Sequence, residues 1–272
     1  MKPPIGRDTT MCMSLSARPG NFGSRFHNHL YDALGLDWVY KSFSTTDLPA
    51  AIGGIRALGI RGCAISMPFK EAVIPLLDGL EGSAAAIDSV NTIVNDAGRL
   101  TGHNTDYSAV RTLFEAHALA PDTPFLLRGS GGMGKAVAAA IRAAGLTRGT
   151  IVARNAAAGR TLADLYGYGW VADIADAAPA PVLVNVTPIG MAGGNDGALA
   201  FPEPMIAAAT LVCDAVAVPA VTPLLATAAA HGIARITGTD IAVLQALEQF
   251  VLYTGLTPTD AQVQAAAEFA RG

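Results

Sequence analysis

The chain has 272 residues, of which 51% are hydrophobic and 15% are charged, and its formal net charge is −4. This composition is typical of a globular protein and argues against intrinsic disorder. Lysine and arginine are not concentrated in any stretch, so nothing indicates a nucleic acid or an anionic membrane surface as a partner.

The first part of the chain alternates short apolar stretches with longer alanine- and leucine-rich ones. This pattern predicts strands near residues 11–15, 38–43 and 62–66, and helices near 24–34, 48–58 and 81–87. Residues 86–94 lead into a further strand. It ends at Asn95-Asp96-Ala97-Gly98, a sequence typical of a hairpin turn.

A second unit begins after Asp106. We predict helices at 108–117, 135–144, 241–253 and 259–270, a turn at 121–124, and strands at 125–127, 150–153, 181–186 and 209–216. Strands and helices that alternate in this way favour an α/β fold with mostly parallel strands. The last two helices can pack back on the first unit, which would make that unit discontinuous.

Targeting and metal-binding features are lacking in the sequence. The N-terminus has no apolar stretch typical of a signal peptide, and the uncharged run 215–234 contains two prolines and reads as strand, turn and helix. The cysteines Cys12, Cys63 and Cys213 form no CxxC pair, and the five histidines show no metal-ligand spacing. We therefore expect a cytoplasmic protein with reduced thiols, no metal and no membrane segment.

The clearest chemical motif is a G-x-G-x-x-G pattern between a predicted strand and a predicted helix. In that context the first glycine permits a tight turn, the second lets the backbone approach a pyrophosphate, and the third allows helix–strand contact. The alternative is an incidental tight turn. The residues assigned to the pyrophosphate are Gly129, Ser130, Gly131, Gly132, Met133 and Gly134.

The end of the second predicted strand of this unit distinguishes between cofactors. An NAD site would place an acidic residue there, whereas this sequence has Arg154 and Asn155, with Arg160 shortly after. A guanidinium group can bind a 2′-phosphate with two hydrogen bonds, which predicts NADP. The alternative is an ordinary surface arginine.

Two further motifs place polar residues after predicted strands. Lys70 closes Ser66-Met67-Pro68-Phe69-Lys70, and Asp106 follows Gly102-His103-Asn104-Thr105, with Ser89-Val90-Asn91-Thr92 between them. Taken alone, Lys70 could be a solvated lysine and Asp106 the N-cap of the next helix.

Taken together, these motifs resemble the shikimate dehydrogenase family over nearly the whole chain. They occur in the order S-M-P-F-K, S-V-N-T-I-V, H-N-T-D-Y, G-S-G-G-M-G-K-A, A-R-N, N-V-T-P-I-G-M and L-Q-A-L-E-Q-F. The resemblance is to the shikimate dehydrogenase-like branch, in which part of the substrate pattern is altered. It implies a substrate domain of residues 1–106 and 238–272, and a Rossmann-type NADP-binding domain of residues 107–237.

The resemblance also implies roles for individual residues. Lys70 would be the catalytic lysine and Asp106 its partner, while Ser66, Asn91 and Gln245 would bind the substrate. On the cofactor side, the resemblance adds Asn185, Thr187 and Asp240 to the residues named above. The reaction would be the NADP-dependent interconversion of shikimate and 3-dehydroshikimate, in the chorismate pathway of aromatic amino acid biosynthesis.

The chain departs from the family pattern at three places. Asn21 and Gly23 stand where two serines would bind the substrate carboxylate, and Ala217 stands where a tyrosine is expected. Asp240 replaces a glycine expected near the nicotinamide. Shikimate is therefore expected to be a poor substrate.

These departures leave three functions open. The first is oxidoreduction of shikimate or a close cyclic hydroxy acid. The second is a related dehydrogenase that acts on quinate or another cyclitol. The third is an NADP(H)-binding regulatory module with weak activity, which the presence of both Lys70 and Asp106 disfavours. We expect a monomer or a homodimer.

Overall fold

The computed structural model describes residues 2–193 and 196–272. The chain divides into two compact units. Unit 1 comprises Met1–Thr105 and Val243–Gly272, and unit 2 comprises Asp106–Ala242. Strands and helices alternate in both units and most neighbouring strands are parallel, so the predicted α/β class is confirmed.

The described strands and helices are numbered in chain order. The strands are β1 (Thr10–Leu15), β2 (Trp38–Phe43), β3 (Gly62–Ile65), β4 (Gly79–Leu80), β5 (Thr92–Asp96), β6 (Arg99–His103), β7 (Phe125–Arg128), β8 (Gly149–Val152), β9 (Gly169–Val171), β10 (Val182–Asn185), β11 (Leu211–Asp214) and β12 (Ala234–Thr237). The helices are α1 (Phe22–Ala33), α2 (Leu48–Ala57), α3 (Gly82–Ile87), α4 (Thr105–Ala116), α5 (Gly132–Ala143), α6 (Ala156–Tyr166), α7 (Glu203–Ala207), α8 (Pro223–Ala230), α9 (Gly238–Thr254) and α10 (Asp260–Arg271).

Unit 1 is built on a mixed sheet with the strand order β2-β1-β3-β5-β6-β4. The strands β1, β2 and β3 run parallel, whereas β5 is antiparallel to both β3 and β6. The β5–β6 pair is a hairpin whose turn contains Ala97 and Gly98, both with positive φ. The predicted turn at Asn95–Gly98 lies at this hairpin.

The sheet of unit 1 has an apolar core on each face, because successive side chains of a strand point to opposite sides. On one face Met13 packs with Ile52 and Ile55 of α2. On the other face Cys12 packs with helices α1, α9 and α10. The ring of Tyr253 lies so close to β3 that a Cβ on Gly62 would meet it at 2.2 Å, so this strand position requires glycine.

Unit 2 is built on six parallel strands in the order β12-β11-β10-β7-β8-β9. This is the strand order of a doubly wound dinucleotide-binding sheet, in which ligands bind at the carboxyl ends of the strands. Its central strands β7, β10 and β11 are buried and mostly apolar, as expected for a parallel sheet covered on both faces. Leu126, Leu183 and Val212 pack against Phe201 and Ile206 on one face.

Several helices begin where a side chain can bond to the first free N–H groups. Asp47 caps α2 and Thr222 caps α8, each followed by proline within the first two helical positions. Thr259 and Gln262 form a reciprocal capping box at the start of α10. No helix among the described residues is long and apolar enough to cross a membrane.

Some element boundaries differ from those predicted. The helices predicted at 108–117 and 135–144 begin earlier, at Thr105 and Gly132. Four strands, β4, β6, β9 and β12, were not predicted. They are two to five residues long, too short to show an apolar pattern of their own, and each is defined by hydrogen bonding to a neighbouring strand.

Candidate active-site residues

Lys70 lies in the turn that follows β3. Ser66 is exposed at the end of the strand, and its carbonyl oxygen accepts a hydrogen bond of 2.9 Å from the Phe69 N–H. The Val90 N–H donates to the Lys70 carbonyl oxygen at 2.8 Å. The half-buried Lys70 is therefore anchored through its backbone to the segment that contains Asn91.

Asn91 is the centre of a buried hydrogen-bond network in unit 1. Its Oδ1 accepts from the Thr105 N–H at 2.8 Å and from the Thr92 Oγ1 hydroxyl at 2.8 Å. Its Nδ2 donates to Thr105 Oγ1 at 3.0 Å. These bonds fix the orientation of the amide, with Oδ1 facing the donors and Nδ2 bonded to one hydroxyl.

The network continues into helix α9. Gln249 is buried, and its Nε2 donates to Thr92 Oγ1 at 3.0 Å. Gln245 precedes it by one helical turn and shares its helix face, where it is half-buried. Sequence reasoning singled out Gln245 but missed Gln249, Thr92 and Thr105. The second glutamine of L-Q-A-L-E-Q-F was the available signal.

Asp106 directly follows Thr105 and is buried, with 2% of its surface exposed. It lies in the first turn of α4, inside the helix, whereas an N-cap lies outside it. A carboxylate in the first turn interacts favourably with the helix dipole. A purely capping role is therefore a weaker explanation of Asp106 than it was from sequence alone.

Asn21 and Gly23 occupy the start of α1. Asn21 is the exposed N-cap residue, and its side chain makes no capping hydrogen bond. A Cβ on Gly23 would meet Tyr40 Oη at 3.4 Å, which is ordinary contact, so a larger residue fits there. The neighbouring hydroxyl of Ser24 is hydrogen-bonded with Ser42 Oγ at 2.8 Å.

The glycine-rich loop of unit 2 joins β7 to α5. Gly129 has φ +121, and a Cβ there would meet the Val186 side chain at 2.7 Å. A Cβ on Gly134 would meet the Gly129 carbonyl oxygen at 2.8 Å, whereas a Cβ on Gly131 would project into open space. The helix begins at Gly132, so its first N–H groups have no partner within the helix. This cradle fits the pyrophosphate of a dinucleotide.

The three polar residues predicted after β8 have different surroundings. Arg154 is exposed. Asn155 caps α6, because its Oδ1 accepts from the Ala158 N–H at 3.1 Å. The guanidinium of Arg160 lies 4.1 Å from the centre of the Trp170 ring. Of the three, Arg154 has the side chain best placed to reach a ligand.

Asn185 and Thr187 form a buried loop structure together with Asp214. Asn185 Nδ2 donates to Asp214 Oδ1 at 3.0 Å, and its Oδ1 accepts from Thr187 Oγ1 at 2.7 Å. Thr222 Oγ1 donates to Asp214 Oδ2 at 2.6 Å, and the Val216 N–H donates to Oδ1 at 3.1 Å. Burial raises the pKa of Asp214. These hydrogen bonds hold the loop after β10 in place, and Asn185 itself is buried.

Asp240 stabilises the start of α9. Its Oδ2 accepts from Thr237 Oγ1 at 2.7 Å and from the Thr237 N–H at 3.1 Å, and its own N–H donates back to Thr237 Oγ1. A Cβ on Gly238 would meet the Val216 carbonyl oxygen at 2.3 Å. The carboxylate of Asp240, which stands where a glycine was expected, therefore has a structural role at the start of α9.

Over the described ranges, 2–193 and 196–272, no three or more His, Cys, Asp or Glu side chains cluster as metal ligands would. The three cysteines are buried, and burial raises the pKa of the Cys12 thiol to about 12. A thiol with so high a pKa is a poor nucleophile.

Comparison with known proteins assigns the family. The shikimate dehydrogenase substrate binding domain matches residues 22–93. A shikimate dehydrogenase-like protein of Haemophilus influenzae is 51% identical over 268 residues, which are 98% of this chain and 98% of that protein. The chain belongs to the shikimate dehydrogenase family. The predicted resemblance to this family and to its shikimate dehydrogenase-like branch is confirmed.

Solved structures confirm the fold. A shikimate 5-dehydrogenase-like protein superposes with a TM-score of 0.92 and 51% identity, covering 99% of this chain and 100% of its own. The shikimate 5-dehydrogenase of Thermus thermophilus, in complex with NADP(H) and shikimate, gives 0.85 and 30%, covering 96% and 99%. Quinate dehydrogenase from Corynebacterium glutamicum, in complex with NAD, gives 0.85 and 30%, covering 96% and 98%. The predicted Rossmann-type unit and the predicted enzyme class, an oxidoreductase, are confirmed.

Proposed function

We propose that this chain interconverts shikimate and 3-dehydroshikimate, or a close cyclic hydroxy-acid analogue, with NADP as cofactor and Lys70 and Asp106 as the acid–base pair. The observation that carries the proposal is the buried network around Asn91. It fixes Thr105, the residue directly before Asp106. The adjacent Val90 N–H anchors the backbone of Lys70.

The cofactor side rests on unit 2. The glycine-rich loop from Gly129 to Gly134 offers free helix N–H groups to a pyrophosphate, and Arg154 follows β8 where an NAD site would carry a carboxylate. The relative from Thermus thermophilus binds NADP(H), which supports the same cofactor here. When bound, the nicotinamide supplies or accepts the hydride.

The protein's own residues handle binding and the proton. In the reductive direction negative charge grows on the ketone oxygen, and the Lys70 ammonium donates a proton or hydrogen bond to it. Asp106 orients Lys70 and holds the exchanged proton. Asn91 and Gln245 bind ring hydroxyls. Acid–base help of this kind is worth about 10²–10⁴ in rate.

In this proposal unit 1 is the substrate domain and unit 2 the NADP-binding domain. The match of residues 22–93 to a substrate binding domain supports the first assignment, and the strand order of unit 2 supports the second. The small-molecule partner is a cyclic hydroxy acid. A cytoplasmic location and a monomeric or homodimeric state complete the proposal.

A quinate-type substrate is the second candidate. It is favoured by the likeness to a quinate dehydrogenase. Asn21 and Gly23, which stand where two serines are expected, affect both candidates because shikimate and quinate each carry a carboxylate. Each missing charge-assisted hydrogen bond is worth about 1.5–3 kcal/mol, so kcat/KM for shikimate falls by about one to four decades.

A substrate screen tests the proposed function. Shikimate, quinate and other cyclic hydroxy acids are incubated with NADP+ or NAD+, and the absorbance of the reduced cofactor is followed. We expect NADP+-dependent turnover of at least one of them, with a raised KM for shikimate. Tight NADPH binding without turnover of any cyclic alcohol would support the regulatory module instead.

Variants of the proposed acid–base pair test the mechanism. Lys70→Ala should lower kcat by about 10²–10⁴ with NADPH affinity unchanged, and Asp106→Asn should add little in the double variant because the two groups act as a unit. Lys41→Ala is the matched control, since Lys41 is exposed and lies over the Phe43 ring. Independent losses that multiply would contradict a working pair.

A further inference from the structure

Arg128 is a cation at the end of an apolar strand. The other residues of β7, Phe125, Leu126 and Leu127, are buried, and Arg128 is the strand's last residue before Gly129. The arginine is half-buried. Charged side chains are rarely held in such positions without a compensating partner, because burial of a charge is unfavourable.

The partners of Arg128 within the protein are few. Its guanidinium Nη1 donates to the Ala200 carbonyl oxygen. Over residues 2–193 and 196–272, no carboxylate forms an ion pair with it. Asp173 acts on it from a greater distance and is itself engaged, since its Oδ1 accepts from the Ala175 N–H at 3.0 Å.

A second arginine stands beside it. In the parallel pairing of β7 with β8, Arg128 lies opposite Val152, and Arg154 follows two residues later. Neighbouring strands are about 4.8 Å apart, so both side chains start from the same carboxyl edge of the sheet. Burial lowers the pKa of the Arg128 guanidinium, Arg154 lowers it further, and Asp173 opposes both.

Arg128 and Arg154 are two cations, and Asp173, whose carboxylate already accepts a hydrogen bond, is one anion. This edge of the sheet therefore carries an excess of positive charge. The glycine-rich loop begins at the next residue, so a dinucleotide held there by its pyrophosphate brings its adenosine ribose to the end of β8. A phosphate monoester on that ribose would be the anion that compensates the two guanidinium groups. Guanidinium groups suit it because they bind phosphate through paired N–H donors.

We propose that Arg128 binds the 2′-phosphate of NADP(H) together with Arg154, and that it is a second residue that determines cofactor specificity. The proposal rests on the proposed function, since it assumes that unit 2 binds NADP(H). The competing role for Arg128 is structural. Its bond to Ala200 would then only hold the segment before α7 against the sheet.

Binding measurements separate these two roles. Dissociation constants for NADPH, NADH and adenosine 2′,5′-bisphosphate are measured by titration calorimetry for the wild-type protein and for Arg128→Leu, Arg128→Lys and Arg154→Ala. Arg128→Leu should weaken NADPH and the bisphosphate by about 10- to 100-fold and leave NADH within about twofold. Arg128→Lys keeps the charge and should lose less.

Two comparisons make the test specific. Arg148→Leu removes an exposed cation at the amino end of β8 and should change no affinity. In the Arg128→Leu and Arg154→Ala double variant, the losses in NADPH affinity should not add, because both residues bind one phosphate. Equal weakening of NADPH and NADH by Arg128→Leu, or additive losses, would overturn the assignment.

If the variants do not fold, a complex of the wild-type protein tests the same proposal. A crystal structure with adenosine 2′,5′-bisphosphate should place the Arg128 guanidinium within hydrogen-bond distance of the 2′-phosphate. A phosphate held by Arg154 alone would refute the role of Arg128 while leaving NADP binding intact. A wild-type protein that binds neither NADPH nor the bisphosphate would refute the proposed function itself.

Discussion

Unit 1 completely buries His27 and unit 2 completely buries Asp214, and the surroundings of these two acid-titrating side chains differ. His27 of α1 has its ring parallel to that of Tyr40, with centres 4.4 Å apart, and neither of its ring nitrogens has a hydrogen-bond partner among the described residues. Asp214 at the end of β11 accepts hydrogen bonds from Asn185, Val216 and Thr222.

The difference determines how acid affects each unit. Burial lowers the pKa of His27 from 6.5 to about 3. Between these two pH values His27 is protonated in the unfolded chain but neutral in the folded unit. The free energy of unfolding therefore decreases as the pH falls from 6.5 toward 3. Burial raises the pKa of Asp214 above 3.8, so the folded unit keeps its proton to higher pH. The contribution of Asp214 to the free energy of unfolding therefore increases as the pH falls from the raised pKa of the folded state toward 3.8.

The largest expected effect comes from removing the titratable ring of unit 1. His27→Phe keeps an aromatic ring beside Tyr40 but cannot be protonated. Its free energy of unfolding relative to wild type should rise on going from pH 7 to pH 3, by on the order of 4 kcal/mol. Urea unfolding at each pH, followed by the fluorescence of Trp38 in a Trp170→Phe background, measures unit 1.

His29→Phe is the matched control for this change. His29 lies two residues further along α1, is half-buried, and has its ring centre 5.1 Å from that of Phe269. The dependence of its free energy of unfolding on pH should follow that of the wild-type protein. An unchanged profile for His27→Phe would show that His27 is not buried as a neutral ring in solution.

Removing the carboxylate of unit 2 should have the next largest effect. Asp214→Ala leaves three buried donors without an acceptor and should lower the free energy of unfolding at pH 7 by about 3 kcal/mol. Asp164→Ala, which removes an exposed carboxylate from α6, should stay within about 0.5 kcal/mol of wild type. Urea unfolding followed by Trp170 fluorescence in a Trp38→Phe background measures unit 2.

The sign of the pH effect gives a second test at this position. The stability of Asp214→Asn relative to wild type should fall as the pH falls from 7 toward 4, opposite to the trend for His27→Phe. The same urea experiments at several pH values measure it. If the free energies of unfolding of Asp214→Asn and His27→Phe relative to wild type changed in the same direction with pH, the two units would not differ in their response to acid.

The smallest expected effect concerns Gln249. Gln249→Leu loses one buried hydrogen bond to Thr92 and should cost about 1 kcal/mol. The Gln249 side chain also raises the pKa of His27 and so opposes the effect of burial, and its removal should shift the pH dependence that His27 causes to lower pH. An unshifted pH dependence in the urea experiment would show that Gln249 does not act on the His27 ring.

The glycine-rich loop and the architecture of unit 2 were predictable from the sequence. Gly129, Gly131 and Gly134 stand at fixed offsets between an apolar strand and a helix, and the structure shows a steric reason for glycine at Gly129 and Gly134. Local patterns of this kind carry their own geometry. The family motifs likewise located Lys70, Asn91 and Asp106, whose catalytic and binding roles stay predictions.

The network around Asn91 was not predictable in the same way. Thr92 and Gln249 are 157 positions apart in the chain, and only the packing of α9 brings them together. Nor does the pattern around His27 reveal that both ring nitrogens are buried without a partner. Arg128 escaped notice because an arginine before a glycine-rich loop has no distinctive local signature, and its half-burial emerges only from the sheet.

The interrupted chain course of unit 1 has a consequence for how the protein is made. Its sheet is encoded before Thr105, but the helix that supplies Gln249 and Tyr253 lies within Val243–Gly272. During synthesis at about 5–20 residues per second, unit 2 is complete before that last segment leaves the ribosome. The face of the unit 1 sheet that carries Cys12 and Gly62 can pack against α1 early, but its packing against α9 and α10 forms only after unit 2 has been made. Apolar surface of unit 1 therefore stays exposed while unit 2 is synthesised, which favours aggregation of the nascent chain.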